Sequence, residues 1–163
     1  MAKDEENKLE KLKKEYDKIQ KKYKLPSYKE LNEDFGIEKL SETDTELLTR
    51  ELRKFVGDYL SRVLRTIESL LSPSNVPMFV FSIVKSIDAE DKKKLSDMYK
   101  ELAKSEVKFI KLDFGFNEEK EAEFVKDSYN VWQTTKKDFL KIMEKVDMKW
   151  DDKAETNNKG YFG

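Results

Sequence analysis

The chain has no histidine and no cysteine. A thiolate nucleophile, a Ser-His or Cys-His pair, an imidazole base near pH 7 and a Cys/His zinc site are therefore excluded. Disulfides are excluded too, which fits a reducing compartment. Breakers are scarce: 5 glycines and 3 prolines in 163 residues. With so many Lys, Glu and Leu, that scarcity predicts long helices. Charge of one sign is also missing. Asp, Glu, Lys and Arg make up 41% of the chain, yet the net charge is −1. No global field draws it to nucleic acid or anionic lipid. No apolar run approaches the roughly 20 residues of a membrane span. The opening MAKDEENKLEK has no apolar core of a secretory signal. The expected location is cytoplasmic.

What is there is helical periodicity. Residues 3–24 carry Leu9, Leu12, Tyr16, Ile19 and Tyr23, one narrow apolar seam. Nine lysines against six acids make this segment basic, and Pro26 ends it. Three heptads are marginal alone, so this helix needs a partner, in its own bundle or as a coiled coil with another chain. Ser27 and Glu30 form a capping-box pattern, and Gly36 suits the position after a helix. Thr43 with Glu46 predicts a second capping box, opening the strongest helix, 44–71. Its apolar residues, from Leu47 to Leu71, fill an arc of roughly 140°. Pro73 closes it.

Residues 77–87 read as a buried helix or as a strand, and 107–114 (VKFIKLDF) is the only candidate strand partner. A lone two-stranded ribbon in a helical chain is the poorer choice. Asp88 caps a helix to about Ser105, and Asn117 caps a last long helix in which Lys136 interrupts the apolar seam. The polar segment 151–163 reads as a flexible tail.

The sharpest local feature is arginine. All four, Arg50, Arg53, Arg62 and Arg65, lie within one helix. With Lys54 they fall opposite its apolar stripe, a surface suited to phosphate or carboxylate. The competing reading pairs them on a solvated face: Glu46 with Arg50, Asp58 with Arg62, Glu68 with Arg65. On the first helix, Lys11, Lys14, Lys18 and Lys22 are candidate phosphate contacts. They equally form the solvated back of a docked helix. Gly57 stands mid-helix, where glycine costs about 1 kcal/mol against alanine, and a close helix approach would compensate. Carboxylates abound, but no metal-binding, phosphate-binding or nucleophile motif accompanies them.

The stretch LPSYKELNEDFGIEKL followed by TDTELLTRELRKFV resembles a group of small uncharacterised helical proteins from small-genome archaea. So do PSNVPMFVFSIVKSIDAEDKKKLSDMYKELAKSE and KEAEFVKDSYNVWQTTKKDFLKIMEKV. The resemblance implies a helical fold and a cytosolic setting. It implies no activity, substrate or catalytic residue.

These readings converge on an all-α, single-domain bundle of five or six helices. A basic helix at 1–24 precedes a bundle at 25–150. The helices 44–71 and 118–148 form its long walls and 77–87 a buried rung. The expected core is Leu52, Phe55, Val56, Tyr59, Leu60, Val63, Ile67, Phe79, Ile83, Leu102, Val125, Tyr129, Trp132 and Phe139. The leading functional expectation is a non-enzymatic module that binds another protein or itself, without cofactor or metal. The alternative is an RNA- or ribosome-associated factor using the Lys-rich helix and the Arg face. A carboxylate-only hydrolase is a third reading.

Overall fold

A computed structural model describes residues 2–43, 45–74 and 78–158, and the side chains of these except 2–5, 79, 82 and 150–158. They form six α-helices and no strand: α1 (Ala2–Tyr23), α2 (Tyr28–Phe35), α3 (Leu48–Leu71), α4 (Met78–Val84), α5 (Ala89–Leu112) and α6 (Glu118–Asn158). A 3-10 helix, Ile37–Glu42, lies between α2 and α3. No helix among these residues is long and apolar enough to cross a membrane.

The helix ends follow local chemistry. Ser27 accepts the Glu30 N–H, and Glu30 returns a bond to the Ser27 N–H at 2.7 Å, completing the capping box. Gly36 takes φ 71°, the left-handed cap that favours glycine. Asp88 accepts the Asp91 N–H at 2.8 Å, and Asn117 that of Lys120 at 2.9 Å. The box expected at Thr43 and Glu46 does not form. Thr43 instead terminates the 3-10 helix, with its N–H on Leu40. Helix α3 starts at Leu48, and Leu47 supplies no side-chain cap.

Helix α3 is the axis, touching every other helix and the 3-10 segment. An aromatic ladder ties α2, α3 and α6 together. Phe35 meets Tyr59 edge-on at 5.1 Å, and Tyr59 meets Trp132 at 5.3 Å. Of the expected core, Leu52, Val56, Leu60, Ile67, Leu102, Val125 and Trp132 are buried. Phe55, Tyr59, Val63, Ile83, Tyr129 and Phe139 pack partly buried against them. The Phe79 side chain lies outside the described residues. Lys136, the interruption in the α6 seam, reaches Asp34 of α2 at 2.9 Å.

Helix α1 docks on its own chain. Leu12 and Tyr16 share one buried cluster with Leu31, Ile37 and Leu52. The Tyr16 hydroxyl donates to the Pro26 carbonyl at 2.7 Å. Burial, with the negative charge of Glu30 and Asp17 behind it, pushes that phenol well above its ordinary range.

Three segments depart from expectation. Helix α5 runs on to Leu112, so 107–112 is helical rather than extended. Helix α4 is no buried rung: Met78 and Phe81 are exposed, and among its described side chains only Val84 is fully covered. A seven-residue helix lying against α3 is covered on one side only. Helix α6 continues to Asn158, eight residues into the segment read as a tail. Asp151–Asn158 contains no glycine or proline to stop it. At 1.5 Å per residue α6 is roughly 60 Å long.

Candidate binding surface at the α5–α6 turn

The arginines do not form one face. Arg53 is 1% exposed, among the most buried large side chains in the protein. Its Nε donates to Glu121 at 2.7 Å and its Nη1 to Asp113 at 2.7 Å. Glu121 is fully buried and also takes Arg50, at 3.5 Å. Burial alone pulls the Arg53 guanidinium down. Its hydrogen bonds to Asp113 and Glu121 outweigh that, and the net displacement is upward. Arg62 and Arg65 are exposed, as is Lys54, which pairs with Glu51 at 3.2 Å. Arg62 lies over the Tyr59 ring at 5.8 Å. Twelve residues separate it from Arg50, roughly 18 Å along the helix. The expected face is thus split between an interior cluster and two outward side chains.

The split has a simple cause. The side of α3 bearing Arg53, Gly57 and Ser61 is covered by α5. Phe109 sits so close to Gly57 that an added Cβ would lie 2.2 Å from its ring. Ser61 donates to Glu106. Helical projection sees only the apolar stripe of one helix. A second helix arriving on the polar side buries arginine if it brings carboxylates.

These arginines pin the turn between α5 and α6. Arg53 holds Asp113, the residue after α5. Arg50 lies over the Phe116 ring at 4.9 Å. Arg53 also lies over Phe109 at 4.9 Å, and Phe109 stacks on Phe124 of α6 at 5.7 Å. The turn is thereby fixed from behind by charge and aromatic contact.

In front of it the surface is apolar. Phe114 is 88% exposed and Phe116 45%; on α5, Val107 is 53% and Ile110 49% exposed. Val107, Ile110 and Phe114 have i, i+3, i+7 spacing. Val107 and Ile110 project roughly 120° away from the buried face of Leu95, Met98 and Leu102. Helix α5 therefore carries a second apolar arc, apart from its buried face, toward its C-terminal end. Beside this stripe a groove of about 560 Å³ lies between the end of α5 and the start of α6. Leu112, Phe114, Phe116 and the buried Phe124 supply its apolar walls, and Lys108, Lys111 and Lys120 its cations. Sequence reasoning missed this surface because VKFIKLDF was weighed as strand against helix. Once the segment is placed on a helix, its two apolar arcs are readable.

The lysines of α1 divide. Lys22 donates to Glu118 at the start of α6 at 3.0 Å. That bond heads the influences holding the Glu118 carboxylate below its ordinary range. Lys11, Lys14 and Lys18 are exposed. Lys18 lines a pocket with Phe116 and Glu118, whereas Lys11 lines another beside the 3-10 helix. The nine candidates are thus not one site: Arg50 and Lys18 lie beside Phe116, Lys22 holds Glu118, Arg53 is interior, and Lys11 lines a pocket beside the 3-10 helix.

A second apolar depression, formed by Ile83, Leu140, Met143 and Val146, lies between α4 and α6. Ile83 directly follows Ser82, whose side chain is outside the described residues. Among the described residues no cluster of three or more acidic side chains is placed to hold a metal ion. No family model matches the chain, and neither does any curated protein or any solved structure.

Proposed function

We propose that the protein is a non-enzymatic interaction module that binds another protein through the outward face of α5 and the turn after it. One observation carries this reading. Val107, Ile110, Phe114 and Phe116 are four large apolar side chains left 45% to 88% exposed within ten residues of one another in the chain, at the end of α5 and in the turn after it, the kind of surface that marks an interaction site. The two carboxylates that converge on Arg53, the buried Glu121 and the half-exposed Asp113, are both held by it. That engagement favours a structural role for them over acid–base work.

The test is affinity capture from native lysate with the intact chain, compared with an Ile110→Glu, Phe114→Glu variant. Both positions are exposed, so the variant keeps its fold, checked by circular dichroism. A discrete protein recovered by the intact chain and lost with the variant is the expected result. Recovery that does not depend on these residues refutes the reading.

A second reading, RNA or ribosome binding, keeps support from Lys11, Lys14 and Lys18, which project outward with no ion-pair partner among the described residues. It loses the arginine half of its surface. Binding of a mixed RNA at low salt, weakened by charge reversal at these three lysines, is its test. Deleting residues 1–24 is unsuitable, because that removes Leu12 and Tyr16 from the core.

A further inference from the structure

Resting on the interaction reading above, we infer that the partner presents an acidic amphipathic helix, and that it docks along the outward stripe of α5 and into the α5–α6 groove. The spacing of the stripe argues for a helix. Val107 and Ile110 stand one turn apart on α5, and Phe114 follows in the turn that continues it, its N–H bonded to the Lys111 carbonyl at 3.3 Å, a row that a helical partner matches ridge against groove. Two to three turns of partner helix cover the roughly 10 Å from Val107 to Phe114.

Charge argues for its acidity. Lys100, Lys104, Lys108 and Lys111 run along one edge of the stripe at i, i+4, i+8, i+11. The first three are already matched: Lys100 with Asp97 at 3.3 Å, Lys104 with Glu101 at 2.6 Å and Lys108 with Asp127 at 2.9 Å. Lys111 and Lys120, which flank the groove, have no ion-pair partner among the described residues. Of the acids beside them, Asp127 is taken by Lys108 and Asp113 by Arg53. Of the acids lining the groove itself, Glu123 remains against the two ammonium groups. A bulky apolar side chain of the partner fits between Phe114 and Phe116 over Phe124. Carboxylates one turn to either side then reach Lys111 and Lys120.

A second copy of this chain is a poorer occupant. In an antiparallel pair about a two-fold axis, like edges face each other, and lysine row would meet lysine row.

The test displays a library of helical 16-residue peptides against the immobilised full-length chain. Enriched sequences should carry apolar residues at i, i+3 or i+4, and i+7, with an excess of Asp and Glu. Their affinity should fall at least about tenfold on Phe114→Ala. The decisive arm is Lys111→Glu, Lys120→Glu, which should reject the acidic peptides and select basic ones. Enrichment without acidic bias, no enrichment, or affinity indifferent to charge reversal overturns the inference. So does light scattering that shows a dimer abolished by Ile110→Glu. If capture of a protein still depends on Ile110 and Phe114 while the library shows no acidic preference, the interaction reading stands and this inference falls.

Discussion

The two halves of α3 carry the same residue type in opposite situations. In the first half, residues 48–61, Arg53 is sealed between α5 and α6 and Arg50 is partly covered. In the second half, Arg62 and Arg65 stand in solvent. The helix has one sequence style throughout, with arginines at positions 50, 53, 62 and 65 on its polar side. What differs is the neighbour. The end of α5 brings Asp113 and α6 brings Glu121 to the first half, and among the described residues neither brings a carboxylate partner to Arg62 or Arg65 in the second. An arginine's role is thus set by what arrives opposite it.

The largest break of this comparison is at Glu121. Replacing it with alanine strands the Arg53 guanidinium in the interior, with only the half-exposed Asp113 left. Removing one member of a buried pair costs about 3–5 kcal/mol. Chemical denaturation should show a loss of that size. The paired change Arg53→Met, Glu121→Leu removes both charges and should recover most of it. A Glu121→Ala variant as stable as the parent would mean that the cluster is not closed as described.

Gly57 sharpens the comparison one turn further along. Alanine there gains about 1 kcal/mol of helix propensity. Its methyl, however, would meet Phe109 at 2.2 Å. That ring is held between Arg53 and Phe124 and has little room to swing. Overpacking of this kind costs about 1–3 kcal/mol, so Gly57→Ala should be destabilising by about 1 kcal/mol net. In a Phe109→Ala background the same substitution should turn stabilising. The change of sign, read by a double-mutant cycle, separates close helix approach from a glycine that is merely tolerated.

How much of this was legible in the sequence follows the same division. Ser27 with Glu30, Gly36, Asp88 and Asn117 each act on backbone within four residues, and the structure has all four where the pattern put them. Thr43 failed because the 3-10 helix claimed it first, a choice made by Ile37 and Leu40 burying against the core. The stripe of α3 identified Leu52, Val56 and Leu60, since a helix period shows in one strand of text. Glu121 could not be seen, because nothing in EEKEAEF says which helix will face it. The docking of Tyr16 also depended on a turn at Pro26 that folds α2 and the 3-10 helix back onto it. The exposed stripe of α5 was hidden for a different reason: V-K-F-I-K-L has apolar residues for a short strand as well as for a helix with two apolar arcs, and neither reading says which arc is left outside.

The helix caps give a pH dependence that the buried cluster does not share in origin. The Glu30 carboxylate is held below its ordinary range by bonds from the Ser27 hydroxyl and N–H. Asp88 is held low chiefly by the Asp91 N–H. For a carboxylate whose folded pKa is depressed, stability is complete above the unfolded value, about 4. It is lost as pH falls through the folded value. Thermal stability should therefore be flat from about pH 6 to 8 and fall below about pH 4. Ser27→Ala should lower stability at neutral pH by about 1 kcal/mol and shrink the acid-dependent part. An acid limb identical in parent and Ser27→Ala would assign the pH response to other carboxylates.

The smallest effect belongs to the outer arginines, and it is the one that closes the comparison. Arg62 and Arg65 are exposed, and neither holds a carboxylate among the described residues. Surface changes away from caps and buried pairs fall within about 0.5 kcal/mol. Arg62→Ala loses a contact with the Tyr59 ring at 5.8 Å, worth at most about 0.5–1 kcal/mol at an exposed site. Arg65→Ala loses less. Side by side with Glu121→Ala, these two should sit near the parent on a denaturation curve. A loss of several kcal/mol at Arg65 would show that another surface covers the second half of α3 in solution. The contrast between its two halves would then be one of occupancy, not of construction.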